Sequence, residues 1–261
     1  MLKKFLSFIF FTTYLFSQEI ILGVVPQQSP LELSKKWLKI TNYLREEIGM
    51  EIVFKTEKSI TIFEEKLYNG EYDIAYMNPY HFIVANKKQN YKAFIRSKDD
   101  IVGIILGRKE KEFNVNNLKG TTFLFPSSNA FAATLLVKYE LRQIYNFDID
   151  KDTKVLYVNS HDSVYKGIAR GVGEFGGGIT RTFNNFNDQE DKNKIEIVYK
   201  TNNYPSHPFA SHPRISDDIV NKISNAIIKM PKELKDILSI KEFIPTTTSE
   251  FDVIKNLEIN K

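Results

Sequence analysis

Apolar and polar positions along this chain fall into blocks that switch period, and the switches outline a fold. Ile20-Ile21-Leu22-Gly23-Val24-Val25 is a continuous apolar run stopped by Pro26, the pattern of a strand buried on both faces of a parallel sheet. Leu33, Trp37, Ile40, Leu44 and Ile48 then recur at helical spacing, and Gly49 stands where a left-handed C-terminal cap belongs. A strand over 51–56, a short helix carrying Phe63 and Leu67, and a strand over 72–76 complete a β-α-β-α-β series. That series predicts a parallel sheet covered by helices.

The alternation then repeats. Residues 93–96 and 101–106 read as a pair of strands around the polar turn 97–100, near which the chain is expected to cross into a second body. After a strand over 121–125 and Pro126, the positions Ala130, Thr134, Val137, Leu141 and Ile144 predict one helical face, with Ser127, Ser128 and Asn129 at its start. A strand over 154–158, a helix around Val164 and Ile168, a glycine-rich turn and a strand over 195–199 come next. Residues 202–213 hold three prolines and no periodicity, and read as the return between bodies. Ser216 is expected to cap a last helix with the buried stripe Ile219, Ile223, Ile227 and Met230, closed by Pro231. The fold class is α/β with two lobes: residues 18–105 with 203–261 form lobe 1, residues 106–202 form lobe 2, and two hinge strands join two mainly parallel sheets flanked by helices.

The ends set the compartment. Lys3 and Lys4 precede an apolar run over 5–16 that is too short to cross a bilayer and ends at Ser17, the layout of a secretory leader occupying residues 1–17, with the mature chain starting near Gln18. A hydrophobic first strand is the competing reading of the same run. The chain has no cysteine, so neither a disulfide framework nor a lipid-bearing cysteine is available, and a periplasmic protein without a lipid anchor is expected. Loss of the leader leaves 34 basic and 32 acidic side chains, a near balance that argues against nucleic acid as a partner.

Three clusters carry candidate chemistry. Phe125-Pro126-Ser127-Ser128-Asn129 lies at a strand-to-helix junction, where free N–H groups, two hydroxyls and an amide suit an anion; plain N-capping explains the same residues. Asp73-Ile74-Ala75-Tyr76-Met77-Asn78-Pro79-Tyr80-His81 runs past the end of a buried strand, where ligands bind in open α/β sheets, and Tyr76, Asn78 and Tyr80 are donors; packing is the alternative. Gln27 and Gln28 occupy the polar turn after the first strand. His161, beside Asp162 at another helix start, is either a cation that complements a dianion or an ordinary capping residue.

Other patterns carry less. Gly171-Val172-Gly173-Glu174-Phe175-Gly176 matches a dinucleotide-binding spelling, yet helix is predicted before it and an extended segment after it, the reverse of what that motif needs. His207 and His212 each precede a proline and are expected as solvated loop residues, not metal ligands. No nucleophile elbow, phosphate loop or cysteine nucleophile is present, so no enzyme, metal or cofactor is expected.

In order and separation, Leu22 to Pro26, Trp37 to Leu44 with Gly49, Gly70 to Tyr76 with Pro79, Leu118-Lys119-Gly120, Ser127 to Asn129, Ser160-His161-Asp162 and Val172-Gly173-Glu174 resemble the PhnD-like substrate-binding proteins of phosphate, phosphite and phosphonate ABC transporters. The resemblance implies a two-lobed periplasmic binding fold that closes on a small oxyanion and delivers it to a permease as a monomer. It also implies that the turn matching Ser127 to Asn129 holds the anionic head, with help from aromatic residues near Tyr76 and from His161. Two departures stand out: Asn129 replaces the last hydroxyl of the family's serine, threonine, serine turn, and Gly173-Glu174-Phe175-Gly176 lacks the acid that contacts an aminoalkyl group in some relatives. A ligand without an amine is therefore expected. Two other classes remain: a sensory receptor that presents its loaded form to a membrane kinase or chemoreceptor, and an enzyme on a transferase-like scaffold, for which turnover of a phosphonate or ester would be the sign.

Overall fold

The computed structural model describes residues 19–257, so the leader read over residues 1–17 and its cleavage point lie outside the described residues. The first sheet contains β1 (Ile20–Val24), β2 (Ile52–Thr56), β3 (Ile74–Tyr76), β4 (Lys92–Ser97), β10 (Pro208–Ser211) and β11 (Phe243–Pro245), in the order β11-β4-β10-β3-β1-β2. β1 pairs in parallel with both β2 and β3, while β10 runs antiparallel to β3 and β4. The second sheet contains β5 (Ile101–Arg108), β6 (Thr122–Phe125), β7 (Lys154–Tyr157), β8 (Phe175–Ile179) and β9 (Ile195–Tyr204), in the order β7-β6-β8-β5-β9. Helices flank both sheets, and the two lobes expected from the sequence are these two sheets with their helices. Each sheet is mixed and not mainly parallel as expected, because β10, β4 and β11 in the first and β5 and β9 in the second pair antiparallel.

Local chemistry accounts for the first helix, α1 (Pro30–Ile48). Ser29 accepts from the Glu32 N–H, Pro30 supplies a helical φ at the first position, and Gly49 ends the helix at φ +68°. Leu33, Trp37, Ile40 and Leu44 are buried against the sheet as their spacing predicts. In α9 (Asp217–Lys229) Ile223 and Ile227 are buried, and Met230 closes the stripe just after it. Ser216 occupies the N-cap position without bonding a first-turn N–H, so the expected side-chain cap is absent.

Three segments depart from the sequence reading. β4 and β5 do not pair with each other: β4 lies between β10 and β11 in the first sheet, β5 between β8 and β9 in the second. The polar turn between them carries the chain from sheet to sheet, and the unbroken apolar run of β5 reflects neighbours on both edges rather than a hairpin. Residues 202–213 are not loop throughout, because β9 extends to Tyr204 and β10 lies centrally in the first sheet, fully buried, with Pro208 at its first position, where no ladder N–H is missed. A central strand buried on both faces has no alternation to read.

The helix after Pro126 is the third departure. It opens with a π-helical turn, Phe131–Leu136, before α4 (Val137–Tyr145), and the Ala130 carbonyl accepts from both Thr134 N–H and Leu135 N–H. Thr134 Oγ1 also donates to the Ser127 carbonyl at 2.8 Å. Val137 and Leu141 are buried, while Ile144, expected on the same face, is 56% exposed in the last turn of α4. The π-helical turn presses on bare backbone: a Cβ at Gly177 of β8 would stand 1.8 Å from the Ala133 carbonyl oxygen, and one at Gly103 of β5 2.2 Å from that of Ala132. Only glycine permits that approach. The spelling around Gly171 is thus split between a turn after α6 (His161–Ala169) and the strand β8, which fits close helix packing and not a dinucleotide loop.

Candidate functional site

The carboxyl ends of β1 and β3 face the second lobe, and a cavity of about 20 Å³ lies between the two bodies. Val25, Gln27, Ile60, Asn78 and His207 line it from the first lobe; Ile101, Ala130 to Ala133, His161 and Ile179 line it from the second. It has room for roughly one water-sized group and its immediate neighbours. No charged carboxylate, lysine or arginine is part of this lining.

Its polarity comes from neutral donors. Phe131, Ala132 and Ala133 form the first turn of the helical segment that continues through Tyr145, ahead of any intrahelical acceptor for their N–H groups, and no side chain caps that turn. Gln27 is oriented by its neighbours: Arg181 Nη2 donates to its Oε1 at 3.3 Å, which turns the amide nitrogen toward His207 Nε2 at 3.0 Å. Nε2 of His207 is then an acceptor and its proton sits on Nδ1, an atom with no partner among the described residues. His161 Nδ1 is likewise buried without a partner, while the His161 N–H donates across the interface to the Gln27 carbonyl at 3.2 Å.

Both imidazoles are neutral. Burial, with the Arg181 charge adding repulsion, lowers His161 to about 3 and holds His207 well below the usual histidine value. The cationic role read for His161 is therefore corrected, because a protonated ring would lose its hydration with no carboxylate to compensate. His207, expected as a solvated loop residue, is 1% exposed because β10 carries it into the interface. His212 is half-buried, with its ring edge against Tyr91.

A second chamber of about 40 Å³ adjoins through Gln27 and is bordered by Gln28, Lys36, Trp37, Tyr76 and Arg181. Arg181 Nη1 donates to the Tyr76 hydroxyl at 2.9 Å, and Lys36 Nζ to Gln28 Oε1 at 2.8 Å. Burial lowers the Lys36 ammonium from its usual value and raises the Asp162 carboxyl, which accepts from Gln28. Arg181 and His207 were missed in the sequence. Arg181 comes after Ile179-Thr180 at the carboxyl end of β8, so the rule that points to Tyr76 and Asn78 would have found it; His207 left no periodic signal.

The remaining named residues sit around these chambers. Ser127 is buried, with Oγ accepting from the Asn129 N–H at 3.5 Å, and Ser128 is exposed; neither lines the cavity. Asn129 bridges the lobes: its carbonyl accepts from Asn78 Nδ2 at 3.3 Å, and its own Nδ2 donates to Glu64 Oε2 at 3.4 Å. Asn78 also caps α3 (Pro79–Gln89) by accepting from the His81 N–H, and His81 Nε2 lies 3.0 Å from Glu64 Oε1. Tyr80 is half-buried against the same apolar cluster. Glu174, at the departure in the glycine segment, accepts from the Thr122 N–H at 2.7 Å and serves the sheet. Among the described residues no group of histidines and acids is arranged to hold a metal, and no helix is long and apolar enough to cross a membrane.

Comparison with known proteins matches this arrangement. A histidine kinase sensor domain with similarity to periplasmic binding proteins aligns over 86% of this chain and 98% of its own, at 13% identity and a TM-score of 0.59. PhnD1 from Prochlorococcus marinus, solved in complex with methylphosphonate, aligns over 92% of this chain and 96% of its own, at 16% identity and a TM-score of 0.83. The binding-protein component of an ABC phosphonate transporter from Pseudomonas aeruginosa aligns over 93% and 86%, at 16% identity and a TM-score of 0.85. These identities establish the shared fold. The family model for the ABC transporter, phosphonate, periplasmic substrate-binding protein matches residues 22–251, and the chain belongs to that family.

Proposed function

We propose that this protein captures a small tetrahedral oxyanion of the phosphonate, phosphite or phosphate type between its lobes and delivers it to an ABC permease, acting as an exported monomer without turnover. The observation that carries the reading is the cavity lined by Gln27, Asn78, two neutral buried histidines with unpartnered Nδ1 atoms, and the uncapped first turn at Phe131 to Ala133. Fixed neutral donors suit an oxyanion because they offer hydrogen bonds without a rearranging charge. Ser127 and Asn129 hold the turn in place, and Tyr76 and Gln28 border the adjoining chamber.

Closure is the associated motion, about the two crossings between the sheets: the polar turn that leads into β5 and the segment between β9 and β10. One apolar cluster already joins the lobes, since Phe131, Leu136 and Ile179 pack with Ile60, Phe82 and Ala210. The likeness to a sensor domain supports a second reading, in which the loaded form docks on a membrane kinase.

A thermal-shift series with phosphate, phosphite, methylphosphonate, a sulfonate and sulfate tests the proposal. A ligand at 100 times its dissociation constant adds about 2.7 kcal/mol of stability, and one phosphorus oxyanion is expected to do so. Replacing Gln27 and Asn78, which line the cavity, together with alanine should remove the shift. No response to any of the phosphorus oxyanions would end this reading.

A further inference from the structure

The seven arginines of the chain are not used alike. Arg45, Arg96, Arg108, Arg142, Arg170 and Arg214 each pair with a carboxylate. Among the described residues Arg181 pairs with none: its hydrogen-bond partners are the Tyr76 hydroxyl and the Gln27 side-chain Oε1, both neutral. An arginine half-buried between two lobes without a counter-charge carries a desolvation cost that an anion would offset. Lys36, on the same chamber, also donates to a neutral oxygen, and no acid lines that chamber. The Asp162 carboxyl, bonded to Gln28, acts on the Lys36 charge, so Arg181 carries the argument.

The chamber is shaped as well as charged. Trp37 and Leu238 wall it, and at about 40 Å³ it is larger than the neutral cavity of about 20 Å³ beyond Gln27. A wider groove of about 630 Å³, which Arg181 also borders, carries Asp99, Asp100 and Asp236 along with Lys200 and Lys241, and so selects neither sign; only the smaller chamber sets Arg181 among cationic and neutral groups alone. The contrast within the interface is between one polar compartment with no charge and a neighbour with two cations and no acid.

We infer that the ligand has two anionic ends: a phosphonate-type head in the neutral cavity and a carboxylate held by Arg181 with Lys36. This rests on the oxyanion reading of the cleft and narrows it from a simple alkylphosphonate to a carboxyalkylphosphonate. A guanidinium binds a carboxylate through two parallel N–H donors, and its present partners, a phenol and an amide, are the weaker neutral acceptors such a group displaces. Gln27 is the shared wall, and its contacts to Arg181 and His207 tie the two compartments together.

Calorimetric titration of the mature chain with methylphosphonate, phosphonoacetate, 3-phosphonopropionate and 2-aminoethylphosphonate tests the inference. One of the two carboxylates is expected to bind at least about tenfold more tightly than methylphosphonate, and the amine more weakly. In Arg181→Gln the carboxylate-to-methyl affinity ratio should fall to within roughly threefold of unity, with a smaller fall in Lys36→Gln, which serves as the readout if the arginine variant does not fold. Methylphosphonate bound as tightly as both carboxylates would overturn this inference while leaving the oxyanion reading intact. Failure of all four to bind would overturn this inference, and failure of phosphate and phosphite as well would overturn both.

Discussion

Arg181 of one lobe donates to the Tyr76 hydroxyl of the other at 2.9 Å, and the same tyrosine ring lies beside His207 with centroids 5.5 Å apart. The pair spans the interface at the carboxyl end of β3, so it forms only when the lobes are together. Removing the hydroxyl in Tyr76→Phe leaves the ring packing against Trp37 and Phe209 and deletes one bond to a charged donor. Such a bond contributes about 1.5–3 kcal/mol, so affinity for methylphosphonate, which leaves the Arg181–Tyr76 bond in place, should fall by roughly 10- to 150-fold, and a ligand whose carboxylate takes over Arg181 should lose far less. Calorimetry with methylphosphonate and with phosphonoacetate checks both halves.

Acid should weaken the fold through the two buried histidines. Unfolded histidine titrates near 6.5, whereas His161 is lowered to about 3 and His207 lies well below its usual value, so across that window the unfolded chain binds more protons. Their contribution to stability is intact above about pH 6.5 and declines as pH falls, with a limiting slope of about 1.4 kcal/mol per pH unit for each ring. Melting midpoints from pH 7.5 down to 5 should drop, and His161→Gln should make the drop shallower. A profile identical in the variant would show that the ring is not held neutral.

The approach of the π-helical turn to β8 makes Gly177 a sensitive position. In Gly177→Ala the new methyl would overlap the Ala133 carbonyl, and the turn must move away from the sheet. Overpacking of this kind costs about 1–3 kcal/mol, and because Ala133 lines the cavity, ligand affinity should fall with stability. Chemical denaturation and ligand titration should therefore both respond; a variant that binds normally would separate the turn from the site.

Asn129 bears on closure. Its amide reaches Glu64 and its carbonyl receives Asn78, so Asn129→Ala deletes one contact between lobes and leaves the backbone one. Affinity should weaken by roughly two- to tenfold, the effect of one hydrogen bond, and Glu64→Gln, which keeps an acceptor, should do less. Small-angle scattering of unliganded Asn129→Ala should show a larger radius of gyration if the contact holds the lobes together.

The features legible in the chain rest on local physics. The strand-helix alternation, the stop at Pro26, the Gly49 cap and the stripe Leu33, Trp37, Ile40 and Leu44 each depend on neighbours within a few residues, and periodicity records them. The reading of Gln27, Asn78 and His161 as groups beyond strand ends or at helix starts also rests on local order, since parallel topology gathers those turns. His207 and the course of β10 escaped because a strand buried on both faces has no alternation, and its partners β3 and β4 lie more than 100 residues away in the sequence.

Charge and distance across the interface belonged to the tertiary structure alone. Position beyond the end of β8 marks Arg181 locally, but its lack of a carboxylate partner does not show in the sequence, because that is a property of what surrounds a side chain in space. Nor does sequence order tell that Ala130 to Ala133, apolar throughout, line the cavity while Ser127 and Ser128 do not: a wider first turn and the bare backbone of Gly103 and Gly177 set that position. Sequence determines elements because hydrogen bonding and periodicity are short-ranged; the polarity of a pocket between two lobes depends on burial and on which residues long-range packing brings to its wall.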